Sequence, residues 1–310
     1  MSATTLTPPP TVADADRPFP TPQSLPAALL ATARPKQWVK NVLVLSAPAA
    51  AGTVLAPSVA VALGWAVLSF VLASAGTYFI NDARDVVADR AHPTKRRRPV
   101  AAGIIPERTA YRIGLGLAAL SLLVALAGGW GLVAVMVTYL ATTSAYSRWL
   151  KHQAIMDILI VASGFVLRAV AGAVATGTLL SSWFLLVALF GSLFVVTAKR
   201  SAEHDTFVLT GVGRATVQGY PATWLQQVLT LSLAGTVLAY ATWALQYIGT
   251  DVSLPLLAVS VLPFLAIMLR YSLLVSLGEG EAPEDLVTDR FLLVAGALWG
   301  VMVGGAIYLA

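Results

Sequence analysis

Asp82, Asp85 and Asp89 follow Asn81 in the pattern NDxxDxxxD, straight after a long apolar run and directly before His92-Pro93-Thr94-Lys95-Arg96-Arg97-Arg98-Pro99. An α-helix turns about 100° per residue, so a helix continuing out of the apolar run carries Asp82 and Asp89 about 20° apart in projection, and Asp85 about 60° from Asp82. Three carboxylates that close repel one another. A hard divalent cation resolves the repulsion, and Mg2+ typically takes one or two carboxylates, some waters and the oxygens of a substrate phosphate. The spacing predicts a Mg2+-diphosphate site with Asp82, Asp85 and Asp89 on the metal. The plainer alternative is a solvated loop whose acids pair with Arg84, Arg90 and Arg96.

A second polar group, Arg34-Pro35-Lys36-Gln37-Trp38-Val39-Lys40-Asn41, stands just before the first apolar stretch. On an α-helix Lys36 and Lys40 share a face, and Trp38 is the amphipathic ring expected at a bilayer interface. The group reads either as a topology anchor or as a set in which Lys36, Lys40 and Asn41 reach phosphate oxygens. The chain contains no cysteine, which excludes disulfides, thiolate catalysis and Cys-ligated zinc, and only three histidines, at 92, 152 and 204. The expected metal is therefore a hard ion held by oxygen.

These residues are spread through a chain built for lipid. Of its 310 residues 57% are hydrophobic and 11% charged, and the mean hydropathy is +0.78, values of a polytopic membrane protein. The expected fold is all-α, a helix bundle of about nine transmembrane helices near 38–55, 58–80, 110–127, 130–147, 154–176, 180–199, 223–247, 252–275 and 290–309, each close to the roughly 20 residues that a bilayer core requires. Its first apolar segment, Leu43 to Leu55, is short for a full crossing and contains Pro48. Residues 1–27, rich in Pro, Thr and Ala, read as a disordered cytoplasmic tail, and 28–310 as a single transmembrane domain.

Charge sets the orientation. With the N-terminus inside, the connections near 53–58, 127–130, 176–181 and 247–252 face outward, and none of the 20 Lys and Arg falls in them. That asymmetry puts the N-terminus, all the basic loops and almost all the acids in the cytoplasm and the C-terminus outside. Two charges lie within the spans proper. Asp157 and Arg168 are eleven residues apart, about 20° in projection, and each costs about 2.5–3.5 kcal/mol at mid-depth in lipid, so both must face the interior. The plainest role for Arg168 is as partner of a buried carboxylate or carbonyl, while Arg270 lies near enough to an end to snorkel. Gly164, Gly172 and Gly177 permit close helix contacts, within the chain or in a homo-oligomer.

The NDxxDxxxD pattern at the mouth of a span resembles the first Asp-rich motif of the UbiA superfamily of membrane-embedded prenyltransferases, and the resemblance covers about residues 30–310. It implies that the motif holds Mg2+ on a donor diphosphate. It further implies roles for a Tyr, a Lys and an Asp around the start of the fifth span, matched here by Tyr146, Lys151 and Asp157. Ordinary members carry a second DxxxD-like motif after the sixth span. This chain reads Lys199-Arg200-Ser201-Ala202-Glu203-His204-Asp205 there, with two cations in place of much of the acid, a change suited to more phosphate charge and fewer metal ions.

That departure, with RPKQWVKN and HPTKRRRP, resembles the bacterial branch of the superfamily that transfers phosphoribosyl to decaprenyl phosphate. The branch implies 5-phosphoribosyl 1-diphosphate as donor, a polyprenyl (decaprenyl) monophosphate as acceptor, pyrophosphate as product, and a place in cell-wall arabinan precursor synthesis at the plasma membrane. On that basis Asp82, Asp85, Asp157 and Lys199 are the expected catalytic residues. Lys36, Lys40, Asn41, Asn81, Lys95, Arg98, Tyr146, Lys151, Arg200 and Glu203 are the expected substrate contacts, with Lys95, Arg98, Lys151, Lys199 and Arg200 serving the donor and Lys36 and Lys40 the acceptor. The alternatives are a conventional prenyltransferase using a prenyl diphosphate and an aromatic or lipid acceptor, and a transporter or scaffold. The basic pI, about 9.6, belongs to membrane loops and does not indicate nucleic-acid binding.

Overall fold

The computed structural model describes residues 24–92, 94–210, 215–246, 254–278 and 289–309. Residues 1–23 of the expected tail, Pro93, Arg214, the 247–252 connection and most of the acidic 279–289 loop lie outside the described residues. All elements are helical: α1 (Leu25–Ala33), α2 (Ser46–Ala50), α3 (Pro57–Arg84), α4 (Val86–Ala91), α5 (Glu107–Ala127), α6 (Trp130–Arg148), α7 (Met156–Thr176), α8 (Ser182–Thr210), α9 (Ala215–Gln218), α10 (Ala222–Gln246), α11 (Leu254–Ser276) and α12 (Arg290–Tyr308), with 3-10 helices at Pro35–Leu45, Lys95–Arg97 and Leu150–His152. The first helix begins at Leu25, so the last residues assigned to the tail are helical.

Seven of these helices, α3, α5, α7, α8, α10, α11 and α12, are long and apolar enough to cross a membrane. Their outward faces are hydrocarbon. Leu231, Leu238 and Leu245 on α10, and Val294, Leu298 and Val301 on α12, are all about half exposed or more, a surface stable only against lipid. The expected count of about nine differs at two places. The α6 helix has the expected bounds, but Thr142, Thr143, Ser144, Tyr146 and Ser147 make its second half polar. The stretch 38–55 forms no membrane-long α-helix at all.

That stretch winds as a 3-10 helix followed by the short α2. At three residues per turn, Lys36 and Lys40 point about 120° apart, so the common face expected for them is absent. The same winding stacks Asn41, Val44 and Ala47 on one side, and all three are buried. An eleven-residue 3-10 helix is uncommonly long, and tertiary anchors sustain this one. Arg168 donates from Nε to Oδ1 of Asn41 at 2.9 Å. One turn further along α7, a Cβ on Gly172 would lie 1.7 Å from the carbonyl oxygen of Val44.

Gly172 is thus spent on an internal contact. Gly172→Ala should displace the segment and cost about 1–3 kcal/mol or more by overpacking. Gly164→Ala, whose added Cβ would meet its nearest neighbours at 3.7 and 3.9 Å, should melt close to the parent in detergent.

The chain divides into two compact units, residues 1–39 with 71–121 and residues 40–70 with 122–310. In the first, Ala28, Phe79, Ala83, Val86, Val100, Ile105 and Ala110 form the core. Here α3 and α5 touch through their backbones, because a Cβ on Gly76 would lie 2.7 Å from the Gly114 carbonyl and one on Gly114 2.8 Å from that of Gly76. In the second, consecutive helices pack side by side, α6 on α7, α7 on α8, α8 on α10, α10 on α11 and α11 on α12. Its apolar core runs from Ile158, Ala162, Val196 and Leu225 through Phe194, Leu229 and Met268 to Tyr240, Leu257 and Ala306.

Candidate active site

In the first unit the end of α3 carries the acidic motif. The helix breaks at Asp85, where φ is −89° and ψ 8°. Helical pitch survives the break, since Asp85 N donates to Asn81 O at 2.8 Å and Asp89 N to Asp85 O at 2.7 Å. Asp82 and Asp89, about two turns apart, are both buried. Arg98 bridges them from Nη1, 3.3 Å from Asp82 Oδ1 and 2.8 Å from Asp89 Oδ2. Arg34 adds Nη2 at 2.6 Å to the same oxygen of Asp82, with its guanidinium 4.6 Å from the Tyr78 ring centre.

Arginines thus pair with both buried carboxylates. Among the described residues no three acidic or histidine side chains are grouped to hold a metal ion. Asp85 stands half-buried at the break, with interactions of its own. The arginines on the acids are not Arg84, Arg90 or Arg96 either: Arg84 and Arg96 are exposed, and Arg90 donates from Nε to Ala101 O at 3.0 Å.

Arg98 emerges from the C-terminal end of the Lys95–Arg97 turn. The turn is closed by His92 Nδ1, which accepts from Thr94 N at 3.3 Å and Lys95 N at 3.4 Å. Burial, and then the nearby Lys95, hold the His92 pKa below its usual value, so the ring stays a neutral acceptor near pH 7. Arg34, which sequence reading passed over, caps α1 in the left-handed region at φ 54°. Its only sequence signal was its place before Pro35.

The second unit assembles another polar network. Asp157, in the first turn of α7, is 1% exposed. Arg200 from α8 donates from Nε to its Oδ2 at 2.7 Å, and the Tyr220 hydroxyl donates to its Oδ1. Arg200 also donates to Glu203 Oε2 at 2.7 Å and to the Tyr146 hydroxyl at 3.4 Å. Asp157, Arg200, Glu203 and Tyr146 are therefore brought together as the resemblance implied. With both oxygens of Asp157 engaged and Arg200 buried, however, these two residues hold each other. Their geometry is that of a buried ion pair tied to Tyr220.

Lys199 lies half-buried beside Arg200 on α8, and Lys151 half-buried on the Leu150–His152 turn. Asn81, Lys95 and Lys40 are half-buried, and Lys36 is exposed. Asn41 is buried on Arg168. That guanidinium also donates to Gly164 O at 2.7 Å and the Tyr139 hydroxyl at 3.3 Å, and lies 5.2 Å from the ring centres of Phe70 and Tyr139. The carbonyl role anticipated for Arg168 is filled, and Asn41 serves that internal bond. Arg270 pairs with Asp289 at 2.8 Å. Tyr220 was missed, its partner Asp157 standing 63 residues away. Burial and the bond to Asp157 push its phenol pKa well up, so it remains a donor at any working pH.

Apolar helices of membrane-spanning length, with a cluster of buried carboxylates and arginines in each unit, are those of a multi-pass membrane protein. Residues 42–306 match the family model described as the UbiA prenyltransferase family, and the chain belongs to that family. It is 45% identical over 296 residues, 92% of this chain and 96% of the relative, to a decaprenyl-phosphate phosphoribosyltransferase of Mycobacterium tuberculosis. A protein of the same name from Corynebacterium glutamicum is 40% identical over 296 residues, 93% of this chain and 89% of that one. Among solved structures, a UbiA homolog from Archaeoglobus fulgidus bound to GPP and Mg2+ superposes with a TM-score of 0.66 at 21% identity, covering 91% of this chain and all of that one. That likeness establishes the shared helical fold.

Proposed function

We propose that the chain transfers the 5-phosphoribosyl group of 5-phosphoribosyl 1-diphosphate to a polyprenyl (decaprenyl) monophosphate. The observation that carries this reading is the 40–45% identity, over nine-tenths of the chain, to relatives bearing that activity in their names. The bond from ribose C1 to the diphosphate oxygen breaks, an oxygen of the lipid phosphate bonds to C1, and pyrophosphate leaves.

The donor set at the acidic motif fits a Mg2+ ion. It offers oxygen ligands only, with two buried carboxylates on one side of a helix end, and Mg2+ needs one or two such groups beside phosphate oxygens. Asp82 and Asp89 would hold the ion, with Asp85 at the break as a further ligand. Bound there, it would neutralise charge on the departing pyrophosphate. Arg34 and Arg98, poised on the same carboxylates, are placed to turn onto diphosphate oxygens in charge-assisted bonds. No strong base is required, because the lipid phosphate is already anionic; the protein has to align it opposite the leaving group. Lys95, Lys151 and Lys199 are assigned to donor phosphates, Arg200 to the support of that set, and Lys36 and Lys40 to the lipid phosphate.

The same reading puts the protein in the plasma membrane, with the N-terminus and the polar clusters cytoplasmic and the C-terminus outside, by the charge asymmetry of the loops. Thermal stability in detergent separates this function from conventional prenyl transfer. 5-phosphoribosyl 1-diphosphate with Mg2+ should raise the melting temperature and prenyl diphosphates should not; the reverse pattern would favour a prenyl diphosphate donor.

A further inference from the structure

We propose that Tyr220 and Thr216 form a clamp that positions Lys151 for phosphate binding. The clamp itself is read from geometry alone; the assignment of its lysine to the donor rests on the proposed function. Lys151 sits in the short connection between α6 and α7, and the exit from that connection is strained. Ile155 has φ 69° and ψ −49°, and Met156 N donates to Ala154 O at 2.8 Å across it, which makes a γ-turn centred on a β-branched residue. Such a conformation is strained and persists only where the surroundings over-determine it.

The surroundings here are two side chains four residues apart. The Tyr220 hydroxyl accepts from Ile155 N at 2.7 Å while donating to Asp157, so it ties the strained turn to the first turn of α7. The Thr216 hydroxyl donates to the carbonyl of Lys151 itself at 2.6 Å. The ring of Tyr220 cannot drift. It stacks on Trp224 with centres 5.1 Å apart and planes 4° off parallel, and packs with Ile158, Ala162, Val196 and Leu225. Between the two handles Val217 is fully buried, which anchors the four-residue α9. A helix that short has little stability of its own; what it contributes is two hydroxyls held by a core.

A lysine whose backbone is fixed in advance loses less freedom when it binds an anion, and that difference appears as affinity. Tyr220 is a positioning residue in this scheme, acting on Lys151 through the turn at Ile155. Tyr220→Phe keeps the ring and its packing but removes both hydroxyl bonds, and Thr216→Val releases only the Lys151 carbonyl.

The test has two independent readouts on the full-length protein in detergent. The first is the rate of trypsin cleavage after Lys151 with no substrate present, expected to rise about tenfold in each variant. The second is affinity for inorganic pyrophosphate with Mg2+, and the KM for 5-phosphoribosyl 1-diphosphate against that for the lipid acceptor. Pyrophosphate binding should weaken and donor KM should rise by roughly tenfold, with acceptor KM unmoved. Unchanged cleavage in both variants overturns the clamp. Faster cleavage with unchanged pyrophosphate affinity and donor KM overturns its role in phosphate binding, as does a proportional change in both KM values. If the parent protein transfers no phosphoribosyl group but the variants still cleave faster and bind pyrophosphate more weakly, the clamp stands and the proposed function fails.

Discussion

Asp82→Ala is expected to lower transfer on the order of 10²–10³-fold or more, a loss typical of removing a group aimed at developing charge, while leaving the protein folded. Two observations set this combination. Asp82 is 2% exposed and is the carboxylate on which both arginines of the acidic motif converge, so its loss removes a proposed Mg2+ ligand and the anchor that aims both arginines at the diphosphate. The arginines themselves, with side chains 30% and 31% exposed, can turn to water when their partner is lost, which keeps the structural penalty small. Asp82→Asn, which preserves shape and removes the charge, should lose nearly as much activity. Circular dichroism and gel filtration of both variants should match the parent. Near-normal turnover in Asp82→Ala and Asp85→Ala together would contradict the metal-site assignment.

Asp157→Ala should fail in a different way, through stability. Arg200 and Asp157 have side chains only 3% and 2% exposed, and removing one partner of a buried pair leaves an uncompensated charge at a cost of about 3–5 kcal/mol. Glu203 remains on Arg200, which favours the lower end of that range. Tyr220 loses its acceptor in the same step. The melting temperature in detergent should fall well below that of Asp82→Ala, and activity should fall with the folded fraction. Asp157→Asn, which keeps the shape and one acceptor oxygen but turns an NH2 donor against the other of its two donor neighbours, should sit between. A melting temperature unchanged by Asp157→Ala would show that Arg200 does not depend on it.

Most of the helical architecture was legible in the sequence because its cause is local. An apolar run of about 20 residues must be a helix in lipid. The inward placement of Asp157 and Arg168 followed from the cost of charge in hydrocarbon, and both are buried. Where the expectations departed from the structure, the deciding contact was distant in sequence. The 3-10 winding of 35–45 depends on Arg168 and Gly172, more than a hundred residues on, and helical periodicity at i, i+4 could not reveal it. Helical wheels placed Asp82 and Asp89 on one face, but a break at Asp85 is a departure at a single residue that periodicity does not register.

Partner choice within the polar clusters was the least readable feature. The acids of the motif have Arg84, Arg90 and Arg96 as sequence neighbours, yet they bond Arg34, 48 residues away, and Arg98. Asp157 looked like a reacting group because the resemblance supplied an Asp at that place. Its two oxygens are held by Arg200 and Tyr220, partners 43 and 63 residues away that sequence proximity could not supply.

The most direct measurement is transfer of label from 5-phosphoribosyl 1-diphosphate into the lipid phase by purified protein given Mg2+ and a long-chain polyprenyl monophosphate. Label in the lipid, dependent on both Mg2+ and the monophosphate, is the predicted result. No label in the lipid, with prenyl transfer from a prenyl diphosphate to an aromatic acceptor under the same conditions, would contradict the account and make the chain a conventional prenyltransferase.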